Sequence, residues 1–165
     1  MYVDNDPLVL SHAHALLTSA REGATDYIEA DVHDPGAIVE GAARTLDFGR
    51  PVAITMLGIL NFVLDTDEAV SIVRRLLDAV QSGSHVVISH PTTEVDGEAM
   101  TTAVDYWNGQ GSAPMTLRSR AEVLRLFAGT DLLEPGVVSC SRWRPDAAGQ
   151  DITDVTHFGG VGRKP

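Results

Sequence analysis

The 165 residues contain one cysteine, Cys140, so no disulfide can close within the chain, and that usage fits a reducing compartment. Set beside Val137, Val138 and Ser139, Cys140 reads as a buried bystander rather than a nucleophile. Basic runs are also missing: with a formal net charge of −11 and no cluster of Lys or Arg, there is no basic surface for nucleic acid or an anionic membrane. The longest apolar stretch, Pro51 to Leu64, is interrupted by Thr55 and Asn61 and is too short to span a bilayer. The first residues lack the basic, apolar and small-residue regions of a signal peptide, which makes the cytoplasm the expected location. No G-x-S-x-G elbow offers a serine nucleophile, and no Walker loop cradles a triphosphate. Six histidines invite a metal, but none has zinc-site spacing. His12 and His14 are two apart on a helix, and His85 and His90 fall on opposite faces of a regular strand. No metal is expected.

What is present reads as one globular domain over residues 1–165, with 44% hydrophobic and 21% charged residues and length enough for a core. Its organising stretch is Met1 to Leu10. The pattern predicts a strand ending near Val3, a turn at Asp4-Asn5, and a helix capped by Asp6 with Pro7 at its first position. The arrangement returns at Tyr27 to Pro35, where Asp31 ends the strand and Asp34-Pro35 start the next helix. In open α/β sheets small ligands bind outside the carboxyl ends of the strands, and an acid there can accept hydrogen bonds from a ribose. Asp4 and Asp31 therefore suggest a nucleoside pocket. The plainer reading stands beside it: Asp-Pro starts helices anywhere, and acids near a helix N-terminus are favoured by its dipole.

Further along, the apolar spacing predicts a first helix from Pro7 to Ser19, with Val9, Leu10, Ala13, Leu16 and Leu17 on one face and Arg21-Glu22-Gly23 at its end. A helix from Pro35 carries Ile38, Val39 and Ala42. Val52 to Leu57 is apolar without alternation, which predicts a strand buried on both faces, as in a parallel sheet. Gly58 permits close backbone approach there, and Asn61 is polar in apolar company; a pocket lip and a plain strand-to-loop transition both account for them. Asp65, Asp67 and Glu68 open a helix whose buried stripe is Val70, Val73, Leu76, Leu77 and Val80. His85 to Ser89 is a further strand, and Glu94 to Asn108 is weakly helical before a break at residues 109–114. Ser119 to Glu122 is a capping box opening a helix with Val123, Leu124 and Phe127 inside. The tail holds one strand around Leu132-Leu133 and Val137 to Ser139, and another from His157 to Arg163. Its run Gly159-Gly160-Val161-Gly162 has no helix after it and reads as a tight hairpin or strand end, not a phosphate loop. Trp143, between Arg142 and Arg144, can stack on a ligand or cover a sheet edge, and Pro145 to Gln150 is an exposed turn. Strands alternating with helices, then a closing strand pair, make a three-layer α/β domain.

Several of these stretches form an ordered set: residues 2–7, Asp26-Tyr27-Ile28 with Ala30-Asp31, Leu46-Asp47-Phe48 with Arg50-Pro51, Leu117 to Val123, Glu134 to Val138, Trp143-Arg144-Pro145, and Gly159 to Pro165. The set resembles, from end to end, a bacterial family of S-adenosylmethionine-dependent methyltransferases first catalogued as a domain of unknown function. The resemblance implies a Rossmann-like class I methyltransferase fold, with a mostly parallel sheet and an antiparallel last strand. It also implies S-adenosylmethionine as cofactor. Asp4 would bind the ribose hydroxyls with Asn5 beside it, Asp31 the adenine amino group with the Val32 backbone touching the ring, and Leu57 to Phe62, Leu57 and Asn61 foremost, would line the cofactor and substrate mouth. Family members usually carry His where this chain has Asn61.

The family's glycine loop and first strand have no counterpart here, so the resemblance implies a partial, N-terminally truncated member with the first strand missing from mid-sheet. The two flanking strands, both parallel, are expected to close up and pair. Three readings follow: a methyltransferase, or the C-terminal portion of one, acting on a small molecule; a non-catalytic remnant or binding module completed by a partner chain or a second copy; and an NAD-dependent oxidoreductase. The last lacks its G-x-G-x-x-G loop.

Overall fold

Two Asp-Pro pairs start the first two helices. The computed structural model describes residues 1–16, 23–111, 113–146 and 152–165. Strand β1 (Tyr2–Asp4) leads to Asp6, whose Oδ1 accepts a hydrogen bond from the Leu8 N–H at 2.8 Å and opens α1 (Pro7–Leu16). Strand β2 (Tyr27–Glu29) leads to Asp34, which accepts from the Ala37 N–H at 3.1 Å and opens α2 (Pro35–Ala42). The expected continuation of the first helix through Leu17 and Ser19 to Arg21 and Glu22 lies outside the described residues, as does most of the turn expected at 145–150.

Strand β3 (Ala53–Leu57) runs into a 3-10 turn at Leu60–Phe62 and then α3 (Thr66–Asp78), capped by Asp65 through the Glu68 N–H at 2.8 Å. Strand β4 (His85–Pro91), α4 (Gly97–Gly109) and α5 (Arg120–Arg125) follow, the last with its capping box formed. Strands β5 (Asp131–Leu132), β6 (Val138–Ser139) and β7 (His157–Arg163) close the fold. β1 pairs with β2 and β3 with β4, both parallel, while β7 runs antiparallel to β4, β5 and β6. The core lies where Ile72, Val73, Leu76 and Leu77 of α3 meet Met56, Val86 and Ile88 of the sheet, with Val123, Leu126 and Phe127 beside them. No helix among the described residues is long and apolar enough to cross a membrane.

Six expectations need correcting. β1 and β3 do not close up: the strands form two sheets, β1-β2 and a second one holding β3 to β7, with a cavity of about 280 Å³ between β1 and β3. The reason is visible in the packing. α2 rests on both β2 and α3, and its Ile38 and Val39, with Phe48 and Ile54, occupy the cavity floor, so β1 is held off β3. For the same reason β3 is covered on one side only. Met56 is buried, whereas Ala53, Thr55 and Leu57 are exposed. The apolar face of α1 is only partly covered: Leu10 and Ala13 are half-buried, whereas Val9 and Leu16 are exposed, Leu16 by 77%. Leu124 lies on the outward face of α5 and is exposed, while Val123 and, just beyond the helix, Leu126 are buried.

The glycine run is strand interior, not a hairpin or strand end. A Cβ on Gly159 would stand 2.9 Å from the Ile88 carbonyl oxygen, and one on Gly162 2.3 Å from Thr130 Oγ1, so β7 needs glycine to lie this close to its neighbours. Cys140 is exposed rather than buried, although its Sγ packs over Gly159 and partial burial pushes the thiol pKa up. The Arg144 guanidinium lies 4.7 Å from the Trp143 ring centroid and covers one face of it.

Candidate functional site

Parallel strands deliver their carboxyl ends to one edge: β1 ends in Asp4, whereas β2 ends at Glu29 and the expected strand-end acid, Asp31, lies two residues beyond it. Asp4 is half-buried; its Oδ1 accepts from the Asp6 N–H at 2.9 Å, and its carbonyl accepts from the Ala30 N–H at 3.1 Å. The next residue crosses to the neighbouring strand. Asn5 Nδ2 donates to Asp31 Oδ2 at 3.1 Å, joining positions 26 residues apart. Asp31 Oδ1 accepts from the His33 N–H at 2.9 Å. That backbone bond first, and the Asn5 amide after it, hold the Asp31 carboxyl below the usual carboxylate range. The neighbouring Val32 is half-buried against the core. Asp4, Asn5, Asp31 and Val32 therefore share one edge, with carboxylate oxygens facing an exposed surface.

The second group stands at the end of β3. Leu57 is 64% exposed, Gly58 takes a φ of +64° and donates its N–H to the Ser89 carbonyl at 3.1 Å, and Asn61 is buried in the 3-10 turn. Among the described residues no hydrogen bond joins this group to Asp4 or Asn5. His33 Nδ1 and Glu68 Oε1, 2.9 Å apart, join the loop after β2 to α3. A larger open depression of about 860 Å³ runs along α4 from Asp96 to Tyr106 and contains none of the strand-end residues. Among the described residues no group of three or more His, Cys, Asp or Glu is placed to hold a metal ion.

Arg118 and His90 are the residues that reading the sequence misses. Arg118, 1% exposed, reaches the carbonyls of Leu60 and Val63 and the Nε2 of His90 at 2.8, 2.6 and 2.6 Å. His90 is wholly buried, and its Nδ1 lies 2.8 Å from the Pro91 carbonyl. With Nδ1–H donating to that carbonyl, Nε2 keeps its lone pair for the guanidinium, and the ring is neutral. Burial first, then the Arg118 charge, lowers its pKa to about 4. No local signal marks either residue, since an arginine ahead of a capping box reads as surface.

Chemically, the strand-end acids can accept hydrogen bonds from hydroxyl and amino groups, and the β3 end offers an apolar wall. Comparison with known proteins narrows this. The family model for S-adenosyl methyltransferases matches residues 1–165. A DUF574 family protein from Streptomyces avermitilis is 44% identical over 99% of this chain and 64% of its own, with a TM-score of 0.89. A protein from Thermobifida fusca is 32% identical over 99% of this chain and 62% of its own, with a TM-score of 0.84. The chain thus spans less than two thirds of the length of these relatives. The N-methyltransferase NodS from Bradyrhizobium japonicum, in complex with S-adenosyl-L-homocysteine, is 11% identical over 99% of this chain and 65% of its own. Its TM-score of 0.57 shows a shared fold alone. No curated protein matches the chain.

Proposed function

The chain belongs to the S-adenosyl methyltransferase family, and from that premise we propose that it supplies the adenosine-holding and acceptor-facing portion of an enzyme that methylates a small molecule. The observation that carries the reading is the Asn5–Asp31 contact at the carboxyl ends of two adjacent parallel strands, with Asp4 beside it. This donor and acceptor set fits the adenosine half of S-adenosylmethionine. Asp4 has one oxygen outside its turn hydrogen bond for a ribose hydroxyl, and Asn5 fixes Asp31 so that its carboxylate meets the adenine amino group with the Val32 backbone along the ring. Leu57 and Asn61 face the reacting end. When bound, the cofactor supplies an electrophilic methyl group; the chain's own task is to orient the two molecules and exclude water, so no dedicated acid or base is required.

The cavity between β1 and β3 adds a condition. It leaves ladder groups and apolar side chains of both strands without a partner, which favours completion by a further segment, a partner chain or a second copy, before turnover. The lone chain then binds nucleoside better than it transfers methyl groups.

Two variants test the site by calorimetry. Asp4→Asn is expected to weaken S-adenosylhomocysteine binding by roughly 1.5–3 kcal/mol, the range for hydrogen bonds to a charged group, with thermal stability nearly unchanged. A stability loss without an affinity loss would reduce Asp4 to a turn residue. Asp31→Ala is expected to cost adenosine and S-adenosylhomocysteine equally, since both carry the base. A loss confined to S-adenosylhomocysteine would move Asp31 away from adenine. NAD binding tighter than that of S-adenosylhomocysteine would revive the oxidoreductase reading.

A further inference from the structure

Among the fully buried side chains of the described residues, Arg118 is the largest, and none of the ion pairs includes it. The Glu122 and Asp65 charges favour the guanidinium without reaching ion-pair distance, and burying it still costs against an apolar side chain of the same size, so it needs another reason to be there. Its hydrogen bonds supply one. A guanidinium carries five N–H donors in a fixed plane, and all five are taken. Nε donates to Thr66 Oγ1 at 3.1 Å, Nη1 to the Leu60 carbonyl at 2.8 Å and His90 Nε2 at 2.6 Å, and Nη2 to the Val63 and Leu64 carbonyls at 2.6 and 3.5 Å. Three of the five acceptors are backbone carbonyls of the turn that leaves β3. The other two anchor that turn to the start of α3 and the end of β4.

The residue framed by those carbonyls is Asn61. Its backbone is pinned, with the carbonyl accepting from the Thr116 N–H at 2.8 Å. Its side chain is not. Asn61 is 5% exposed, yet Nδ2 has only Met115 Sδ at 3.9 Å and Oδ1 has no partner. A buried amide oxygen left unpaired is unfavourable by a few kcal/mol and calls for a donor. Oδ1 is closed to solvent in the free chain and lies 4.0 Å from where a Cβ on Gly58 would stand; chain neighbours apart, nothing else comes within 4 Å of that point, so the opening a ligand would use lies on the Gly58 side of the amide. Leu57 and Ile59, 64% and 39% exposed, flank the same spot with apolar surface.

We propose that Arg118 is a positioning residue: it holds the turn from Leu60 to Leu64 so that the Asn61 side-chain oxygen receives an N–H from a bound methyl acceptor, a neutral amine on an apolar body. The ligand part rests on the methyltransferase reading; the clamp does not. An amine suits this oxygen better than a hydroxyl. An amide oxygen takes up no proton near neutral pH, so it can orient a nucleophile whose lone pair is already free but cannot activate an alcohol.

Native-state hydrogen exchange on the full chain tests the clamp. The Phe62 and Val63 amides donate to the Ile59 and Leu60 carbonyls, inside the turn. In Arg118→Lys these two amides are expected to exchange about tenfold or more faster relative to the core amides of Val86 and Ile88, because the turn opens on its own. Thr66→Val, which removes only the Nε acceptor, is the milder variant should the lysine chain fail to fold, and moves the same amides in the same direction. Turn and core amides accelerating in step would mean that Arg118 merely stabilises the fold, and would overturn the proposal. The ligand part is tested with aniline and N,N-dimethylaniline, read from the Asn61 side-chain amide resonances with S-adenosylhomocysteine present. Aniline is expected to shift them in the unmodified chain and to need about tenfold more in Arg118→Lys, while the dimethyl compound, which has no N–H, leaves them in place. Equal shifts from both amines would overturn the assignment of Asn61. Adenosine failing to bind the unmodified chain would instead retire the methyltransferase reading, with the exchange result still deciding the clamp.

Discussion

Arg118→Met is expected to cost roughly 3–5 kcal/mol of folding stability, since the Leu60 and Val63 carbonyls and His90 Nε2 each lose a buried donor at about 1–3 kcal/mol apiece. Methionine is chosen because it fills similar volume without a charge, which relieves the desolvation of the guanidinium and leaves the orphaned acceptors as the dominant effect. A domain holds only ~5–15 kcal/mol in total, so the loss is a large part of the whole. Urea unfolding measures it through a fall in midpoint at unchanged slope. A loss below about 1 kcal/mol would mean that water replaces the guanidinium, and that the turn after β3 is not a closed interior.

The second large effect is on pH dependence, and it comes from His90. Its folded pKa is about 4 against an ordinary 6.5. Above pH 6.5 the ring is neutral in both states and its burial carries no proton penalty. As pH falls from 6.5 to about 4 the unfolded chain takes up a proton that the folded chain refuses, so stability declines. Below that the ring is charged in both states and its contribution levels off. The whole decline is roughly 3.5 kcal/mol, taking about 1.4 kcal/mol for each pH unit of displacement. His90→Gln keeps a donor and an acceptor without a titrating proton, and is expected to flatten the stability profile between pH 4 and 6.5. An unchanged slope in that variant would assign the acid sensitivity to other groups. Asp31 and Glu122, both held below the usual carboxylate range, begin to lose their contributions as pH falls through their ordinary values, so they overlap the His90 decline only at its acid end.

The sequence by itself determined most of the elements and the edge on which Asp4 and Asp31 stand. Asp6, Asp34, Asp65 and Ser119 cap the helices that their local patterns announce, because a cap is decided within three residues of chain. Asp4 ends β1 and Asp31 lies two residues past the end of β2, and parallel pairing then places Asn5 against Asp31. The family, too, was legible, from short motifs in fixed order.

Only the tertiary structure decided the rest. Whether β1 meets β3 depends on how α2 seats between β2 and α3, a packing balance with no local signature, and it leaves a cavity where direct pairing was expected. The unbroken apolarity of β3 records what that strand can bury; it does not say which neighbours arrive to cover Leu57. The glycines of β7 answer to the Ile88 carbonyl and to Thr130, residues far away in the chain, so their purpose is invisible from their own neighbourhood. Arg118 and His90 show the limit most plainly. Each belongs to a type that usually faces water, and they become one buried unit only because α5, β4 and the turn after β3 converge and leave five acceptors around a single guanidinium.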